Sequence, residues 1–157
     1  MRAILTAAIA LAGLTTIAMA ADTGDAFKYM TKEQAFDLVK TPKADGSATN
    51  VYYANHGEFS EQIVQRTVSG KVETHELWTD YMVVVDGNAT ITIGGKVTGN
   101  AKNPNGAAGE WLGTSSAGGK VYDLKPGVTM IIPKGIPHWM QLAKGAKLQY
   151  IAFKRKG

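Results

Sequence analysis

From residue 50 onward the sequence is a succession of short apolar segments separated by turn residues, and this pattern constrains the fold most. The segments are rich in β-branched and aromatic residues and are bounded by glycine, which is typical of strands. Many short strands at close spacing favour an antiparallel sandwich or barrel over alternating βαβ units. The predicted strands are Asn50–Ala54, Glu61–Val68, Lys71–Leu77, Asp80–Val85, Ala89–Ile93, Lys120–Leu124, Val128–Ile132, His138–Leu142 and Lys147–Phe153.

Two connections in this region have distinct compositions. Asp86-Gly87-Asn88 separates two apolar runs and predicts a tight hairpin, because these residues tolerate the positive φ of such turns. We therefore expect the strands on either side of it to be antiparallel neighbours. The segment Gly99–Gly119 is rich in Gly, Asn, Ala and Ser around an apolar island at Trp111-Leu112, and we expect a long loop or excursion there.

The amino-terminal segment reads as a signal peptide. Arg2 supplies a positive charge, Ala3–Leu14 is apolar, and Ala18-Met19-Ala20 is a small-x-small cleavage signal. An apolar run of about a dozen residues is shorter than the ~20 that a membrane-spanning helix needs. We expect cleavage after Ala20, a periplasmic or secreted product, and no membrane association after processing.

A short helix is predicted before the first strand. Thr31 and Gln34 have the spacing of a capping box, and Phe36 and Val39 fall on one face of the helix that follows. The remaining length suits a single domain with its own core. The expected organisation is a signal peptide over residues 1–20, a leader with a short helix over 21–49, and one β-barrel domain over 50–157.

Composition excludes several functions. The chain has no cysteine, so thiol nucleophiles and cysteine metal sites are ruled out. The net charge is only +4, and the basic residues near the C-terminus are not interleaved with stacking aromatics as a nucleic-acid surface would be. We interpret these residues as a solvated end and expect no nucleic-acid partner; they are Lys144, Lys147, Lys154, Arg155 and Lys156.

One stretch places metal-ligand residue types close together. Glu73 and His75 are two residues apart, so both side chains lie on the same face of a strand. Asp80 follows five residues later and can join them only if the chain turns or bulges in between. Glu76 is a second carboxylate near this turn, and either Glu73 or Glu76 is a candidate ligand or catalytic general base.

A second stretch presents one histidine from a rigid turn. An apolar strand runs into Pro133, Gly135 and Pro137, and His138 follows directly. Backbone restricted in this way holds a side chain ready for ligation at little entropic cost.

The two stretches resemble the two motifs of the cupin superfamily. The second motif, Gly-x5-Pro-x-Gly-x2-His, is matched at full spacing, and the second histidine, the acid and the closing glycine of the first motif are also present. Glu73 stands where the first histidine belongs, Asp80 is shorter than the usual Glu, and Leu142 replaces a final Asn. The matching residues are His75, Asp80, Gly87, Gly127, Pro133, Gly135 and His138.

The resemblance implies a jelly-roll barrel with a metal at its centre, and a homodimer. His75, Asp80 and His138 are then the candidate metal ligands. Two imidazoles with one or two carboxylates form a mixed nitrogen and oxygen site suited to divalent Fe, Mn, Ni or Zn. Proximity to these ligands marks the candidate ligand-binding residues, which are Trp78, Tyr81, Trp139 and Gln141.

The leading functional hypothesis is an exported single-domain cupin that binds a divalent metal and a small organic molecule, with metal-assisted catalysis of the dioxygenase, isomerase or lyase type. The alternative is a non-catalytic binding or sensing module without a functional metal site, in which both histidines are satisfied inside the barrel. A third is a structural or storage barrel without a small-molecule partner.

Overall fold

The computed structural model describes residues 29–44 and 48–157, so the predicted signal peptide and residues 21–28 and 45–47 of the leader lie outside the described residues. The described chain forms one short helix and a series of β-strands, and none of its helices is long and apolar enough to cross a membrane. The elements are α1 (Lys32–Asp37), β1 (Thr49–Asn55), β2 (Phe59–Arg66), β3 (Val72–His75), β4 (Trp78–Gly87), β5 (Ala89–Ile93), β6 (Lys96–Thr98), β7 (Ala101–Lys102), β8 (Glu110–Gly113), β9 (Ser115–Ala117), β10 (Lys120–Leu124), β11 (Thr129–Ile132), β12 (His138–Gln141) and β13 (Leu148–Lys156).

The strands form two main antiparallel sheets. The five-stranded sheet has the order β1-β2-β13-β4-β11 and the six-stranded sheet the order β10-β5-β12-β3-β8-β7, while β6 and β9 form a separate pair. Side chains from both sheets meet in one apolar core. The all-β, antiparallel prediction is confirmed, and each of the nine predicted strands is present. The core residues are Val64, Met82, Val84, Ile91, Leu124, Ile132, Met140, Leu148, Tyr150 and Ala152.

The predicted hairpin at Asp86-Gly87-Asn88 is wrong. Strand β4 pairs with β13 and β11, whereas β5 pairs with β10 and β12, so the two strands belong to different sheets. Gly87 has φ +82°, and an added Cβ would overlap the carbonyl oxygen of Lys147. The turn residues correctly indicate a positive φ, but here that conformation turns a corner between sheets.

The segment Gly99–Gly119 is more ordered than the expected long loop. It contains β7, β8 and β9, and β8 extends the six-stranded sheet by pairing with β3. Gly113 allows β8 to approach Val97 of β6 closely, since a Cβ at position 113 would overlap a side-chain carbon of Val97. The Gly99–Gly119 segment therefore contributes the strand that lies beside β3, which contains His75.

Helix α1 closes the outer face of the five-stranded sheet. Thr31 Oγ1 accepts a hydrogen bond from the Gln34 amide, and Gln34 Oε1 accepts one from the Thr31 amide, so the predicted capping box is confirmed. Phe36 and Val39 are both buried and pack with Ile63 of β2. The helix thus stabilises the sheet from outside, whereas the candidate site lies on the inner side.

Candidate metal centre

Strands β3 and β12 bring three candidate ligands together. Glu73 and His75 share one face of β3, and His138, the first residue of β12, is the cross-strand partner of Glu73. Glu73 Oε2 lies 3.7 Å from His75 Nε2 and 3.9 Å from His138 Nε2. Because the three ligand atoms lie within 4.8 Å of one another, a single ion could contact all three. The structure thus unites the Glu73–His75 pair with the histidine of the second stretch.

Asp80 reaches the same cluster from the opposite sheet. The chain turns at Glu76-Leu77, and β4 then carries Asp80 on the inward face that also holds Met82 and Val84. Asp80 Oδ2 lies 3.3 Å from His75 Nε2 and 3.5 Å from His138 Nε2. The turn that the five-residue spacing required is therefore present, and it places a carboxylate opposite both histidines.

Glu73 is fixed by Arg66, whose side chain is mostly buried. Arg66 Nη2 donates a hydrogen bond of 2.7 Å to Glu73 Oε1, and Arg66 Nε donates one of 3.1 Å to the hydroxyl of Tyr150. Burial tends to raise the pKa of Glu73, but the Arg66 guanidinium and the nearby imidazoles outweigh it and hold that pKa well below its usual range. Glu73 is thus ionised, with Oε1 committed to Arg66 and Oε2 directed to the histidines.

His138 is held in the tautomer that a metal ligand requires. Its Nδ1 lies 3.2 Å from the Ile136 carbonyl oxygen, which can only accept, so Nδ1 carries the proton. Burial lowers the pKa of His138 and keeps the ring neutral. The lone pair of Nε2 then faces the cluster.

Lys154 also enters the cluster, which corrects the prediction that it belongs to a solvated C-terminal end. On β13 it shares the inward face with Leu148, Tyr150 and Ala152, which are buried. Its Nζ lies 2.9 Å from His75 Nε2 and 3.5 Å from Asp80 Oδ1. Lys154 therefore supplies a cation between the two sheets.

His75 lies between carboxylates. Burial tends to lower its pKa, but Asp80 and Glu73 outweigh burial and raise the pKa to about 9. Burial likewise tends to raise the pKa of Asp80, but His75 and Lys154 lower it. The hydrogen bond between His75 Nε2 and Lys154 Nζ uses one proton, so one of these nitrogens presents a lone pair to the other and the two side chains together carry one positive charge. On its other side, His75 Nδ1 lies 3.7 Å from Glu110 Oε1.

Other predicted site residues lie away from the cluster. Glu76 is exposed at the turn between β3 and β4. Tyr81 alternates with the inward residues of β4, and Trp139 and Gln141 alternate with the inward residues of β12. Trp139 Nε1 instead donates to the Gly70 carbonyl, and Gln141 Oε1 accepts from the Thr92 hydroxyl.

Of the predicted ligand-binding residues, Trp78 has the favourable placement. It shares the face of β4 that carries Asp80. Tyr81, Trp139 and Gln141 lie on the strand faces that alternate with the cluster-facing residues, and Glu76 is exposed at the turn, so the roles predicted for these four residues stay predictions. Proximity in sequence includes residues from both faces of a strand, whereas the alternation of side chains separates the two faces.

Sequence reasoning missed four residues around the cluster, and two of them carried a readable signal. Arg66 and Lys154 occupy positions on β2 and β13 whose alternation with core residues points inward. A charged residue in such a position is unusual unless it is paired. Glu110 lies in the irregular segment, where no period placed it. The missed residues are Arg66, Glu110, Tyr150 and Lys154.

The cluster fits a divalent metal by its donor chemistry. Within residues 29–44 and 48–157, His138 Nε2 and both carboxylate oxygens of Asp80 are buried without a hydrogen-bond partner. Buried polar atoms of this kind are costly unless something else contacts them. Two imidazole nitrogens and one or two carboxylates form the mixed donor set that divalent transition metals accept.

Comparison with solved structures identifies the fold. The Schizosaccharomyces pombe Cnp3 cupin domain matches at 8% identity with a TM-score of 0.51, over 70% of this chain and 65% of that one. The polyketide cyclase RemF from Streptomyces resistomycificus matches at 17% identity and 0.52, over 81% and 80%. Fe(II) HppE matches at 14% identity and 0.50, over 73% and 54%. The chain thus spans less than two thirds of the Cnp3 domain's own length and of HppE.

The fold and the cluster define a class of protein: an antiparallel two-sheet barrel with a histidine and carboxylate centre between its sheets. More particularly, the chain has the cupin fold, as the sequence motifs predict. No protein-family model matches the sequence, and no curated protein matches it. The structural likenesses, all below 25% identity, identify the fold alone.

Proposed function

We propose that this chain binds a divalent metal ion at Glu73, His75 and His138, with Asp80 completing the site from the opposite sheet. The observation that carries the proposal is the convergence of the Glu73, His75 and His138 donors within 4.8 Å, including a His138 Nε2 lone pair oriented by the Ile136 carbonyl. Preorganised ligands of this kind lose little entropy on binding an ion. Iron, manganese, nickel and zinc suit the donor set, and the Fe(II) named for HppE supports iron among them.

We further propose that the site binds a small organic molecule and assists its chemistry. A bound divalent ion would supply a Lewis acid that can polarise an oxygen atom of a ligand. The residues of the chain orient it: Arg66 fixes Glu73, and the Ile136 carbonyl fixes the tautomer of His138. Dioxygenase, isomerase and lyase reactions are the candidate classes, because a divalent ion can bind oxygen beside an organic substrate or polarise a carbonyl group of that substrate.

Location and assembly belong to the same proposal. The apolar run and the Ala18-Met19-Ala20 signal support export to the periplasm or the medium, and the resemblance in motifs supports a homodimer. Amino-terminal sequencing of the chain from cell fractions should find Ala21 first in the exported fraction. Light scattering on the purified mature chain should give twice the monomer mass. A cytoplasmic chain that begins at Met1 would contradict export.

Elemental analysis tests the metal site. The untagged mature chain is stripped with a chelator, incubated separately with each of the four ions, desalted and analysed beside His75→Ala, His138→Ala and the control His56→Ala, whose histidine is exposed. We expect about one ion per chain in the parent and in His56→Ala, and loss of the ion in the two cluster variants. A parent that retains none of the four ions would overturn the proposal, provided that circular dichroism shows it folded.

The metal-free alternative is supported by one specific observation. Arg66 lies against Glu73 and Lys154 against Asp80, so each carboxylate already has a cation of the chain itself beside it. A barrel balanced in this way can bind a small molecule without an ion. A thermal-shift screen of sugars and organic acids, run with chelator and with metal, separates the two functions, because a ligand of the folded state raises the melting temperature.

A further inference from the structure

The feature that the proposed function leaves unexplained is the position of Lys154. Its Nζ lies 2.9 Å from His75 Nε2, the same nitrogen that a metal would use. We propose that Lys154 is an internal competitor of the metal ion: it occupies the ion's place beside His75 and Asp80, and it must move away before an ion can bind. The inference rests on the proposed metal site and adds what regulates its affinity.

The competition follows from the valence of the imidazole nitrogen. In the Lys154–His75 hydrogen bond, Nε2 either accepts the lysine proton or carries a proton of its own. A metal needs the lone pair of that nitrogen and binds it at about 2.0–2.1 Å for zinc. The two partners are therefore mutually exclusive at His75. A cationic Nζ at this distance would also repel the ion.

A second contact, with Asp80, holds Lys154 at the same place in the cluster. Asp80 is 1% exposed and both of its oxygens lack a hydrogen-bond partner within the described residues, so its charge depends on nearby cations. Lys154 is the cross-strand partner of Asp80 between β13 and β4, and Nζ lies 3.5 Å from Oδ1. Without an ion, Lys154 is therefore the counter-ion that the fold itself supplies.

Lys154 can leave the site, whereas Arg66 cannot leave as easily. The Lys154 side chain is 20% exposed, and its neighbours Arg155 and Lys156 are part of the exposed end of β13. Its flexible four-carbon stem allows the ammonium to reach solvent. Arg66 is 12% exposed and donates hydrogen bonds to both Glu73 and Tyr150. An entering ion should thus displace the lysine and keep the Arg66–Glu73 pair.

The test is the Zn²⁺ affinity of Lys154→Met, measured by competition with a chromophoric chelator. Lys156→Met is the matched control, because this lysine is exposed on the same strand. We expect Lys154→Met to bind Zn²⁺ about 10–100-fold more tightly than the parent, the range over which residues around a metal site tune affinity. Lys156→Met should match the parent. If Lys154→Met fails to fold, Lys154→Gln removes the charge and keeps a polar side chain.

A second measurement uses the unmodified chain. Brief acetylation followed by mass spectrometry should modify Lys154 faster in the presence of Zn²⁺ than in its absence, with Lys156 as the internal reference. A parent that binds Zn²⁺ as tightly as Lys154→Met, or a Lys154 reactivity that Zn²⁺ leaves unchanged, would overturn the competition and leave the metal site intact. Zn²⁺ binding by neither chain would overturn the metal site itself. Binding by Lys154→Met alone would support the competition and favour the metal-free function for the natural chain.

Discussion

Two carboxylates, the half-buried one of Glu73 and the buried one of Asp80, face the same pair of histidines, and their cations hold them differently. Glu73 accepts a 2.7 Å hydrogen bond from Arg66, which is itself anchored on Tyr150. Asp80 lies 3.5 Å from Lys154 and has no hydrogen-bond partner within the part of the chain that the structure describes. The Arg66–Glu73 pair thus has the geometry of a fixed ion pair, while the Lys154–Asp80 pair has that of an exchangeable contact.

The difference follows from the chemistry of the two cations. A guanidinium is always charged and presents several donors in a fixed plane, so Arg66 can serve Glu73 and Tyr150 together. An ammonium is a compact charge on a flexible stem, and that of Lys154 contacts Asp80 and His75 near the exposed end of a strand. The site thus has one fixed and one replaceable positive charge.

The largest expected effect comes from breaking the fixed pair. Arg66→Met leaves the mostly buried carboxylate of Glu73 without its strongest partner, which typically costs about 3 kcal/mol. Urea denaturation of the metal-free chain should show this loss. The double variant Arg66→Met/Glu73→Gln should recover much of it, because the charge is removed together with its partner. A loss below about 1 kcal/mol in Arg66→Met would contradict a fixed pair.

Stability against pH tests the exchangeable side of the site. His75 has a folded pKa of about 9, above its value near 6.5 in an unfolded chain, so it stabilises the metal-free fold fully below pH ~6.5. That contribution is lost as pH rises from about 6.5 through 9. One pKa unit corresponds to about 1.4 kcal/mol, and we expect a loss of about 1–3 kcal/mol.

The measurement for this prediction is a series of urea titrations of metal-free protein between pH 6 and 9.5. His75→Gln is the matched variant and should show a smaller slope in this window. The carboxylates of Glu73 and Asp80, whose pKa values are lowered, add their own loss only on the acid side, below their unfolded values. A parent whose stability is constant from pH 6.5 to 9 would contradict the raised pKa of His75.

Local pattern predicted the residues of the cluster better than it predicted their surroundings. The spacing of Glu73 and His75, the turn required before Asp80, and the rigid approach to His138 are all properties of a few adjacent residues. The structure brings these four residues together. Proximity alone points to Trp139 and Gln141, although the alternation that pairs Glu73 with His75 places them on the other face of β12 from His138.

The pairing of distant strands could not be read from local sequence. Asp86-Gly87-Asn88 indicates a reversal or corner, but whether β4 and β5 pair depends on β13 and β12, which lie far along the chain. Lys154 is basic like its exposed neighbours Arg155 and Lys156. Its inward direction becomes evident only when the alternation of apolar residues is followed along the whole of β13. The Gly99–Gly119 segment has no hydrophobic period, so its sequence could not place Glu110 beside the cluster.

Removing the charge of Glu73 and of Asp80 in separate variants compares how firmly their two cations are held. Glu73→Gln leaves Arg66 charged and mostly buried, so the metal-free chain should lose about 2 kcal/mol. Asp80→Asn should cost about 1 kcal/mol or less, because Lys154 can turn its charge to water. Urea denaturation at pH 7 of both variants gives the two numbers under identical conditions. A larger loss in Asp80→Asn would mean that Lys154 is held more firmly than Arg66.

The smallest expected effect concerns Glu110, which stands behind the site. Its Oε2 accepts hydrogen bonds from the Asn103 side chain and the Ala107 amide, which leaves Oε1 3.7 Å from His75 Nδ1. At that distance it can orient the ring electrostatically without a full hydrogen bond, so Glu110→Gln should weaken Zn²⁺ binding by about tenfold at most. The chelator competition assay measures this, with Glu58→Gln, an exposed acid, as the control. Unchanged affinity would mean that Asp80 and Glu73 alone orient His75, and a change far above tenfold would show that Glu110 belongs to the fixed part of the site.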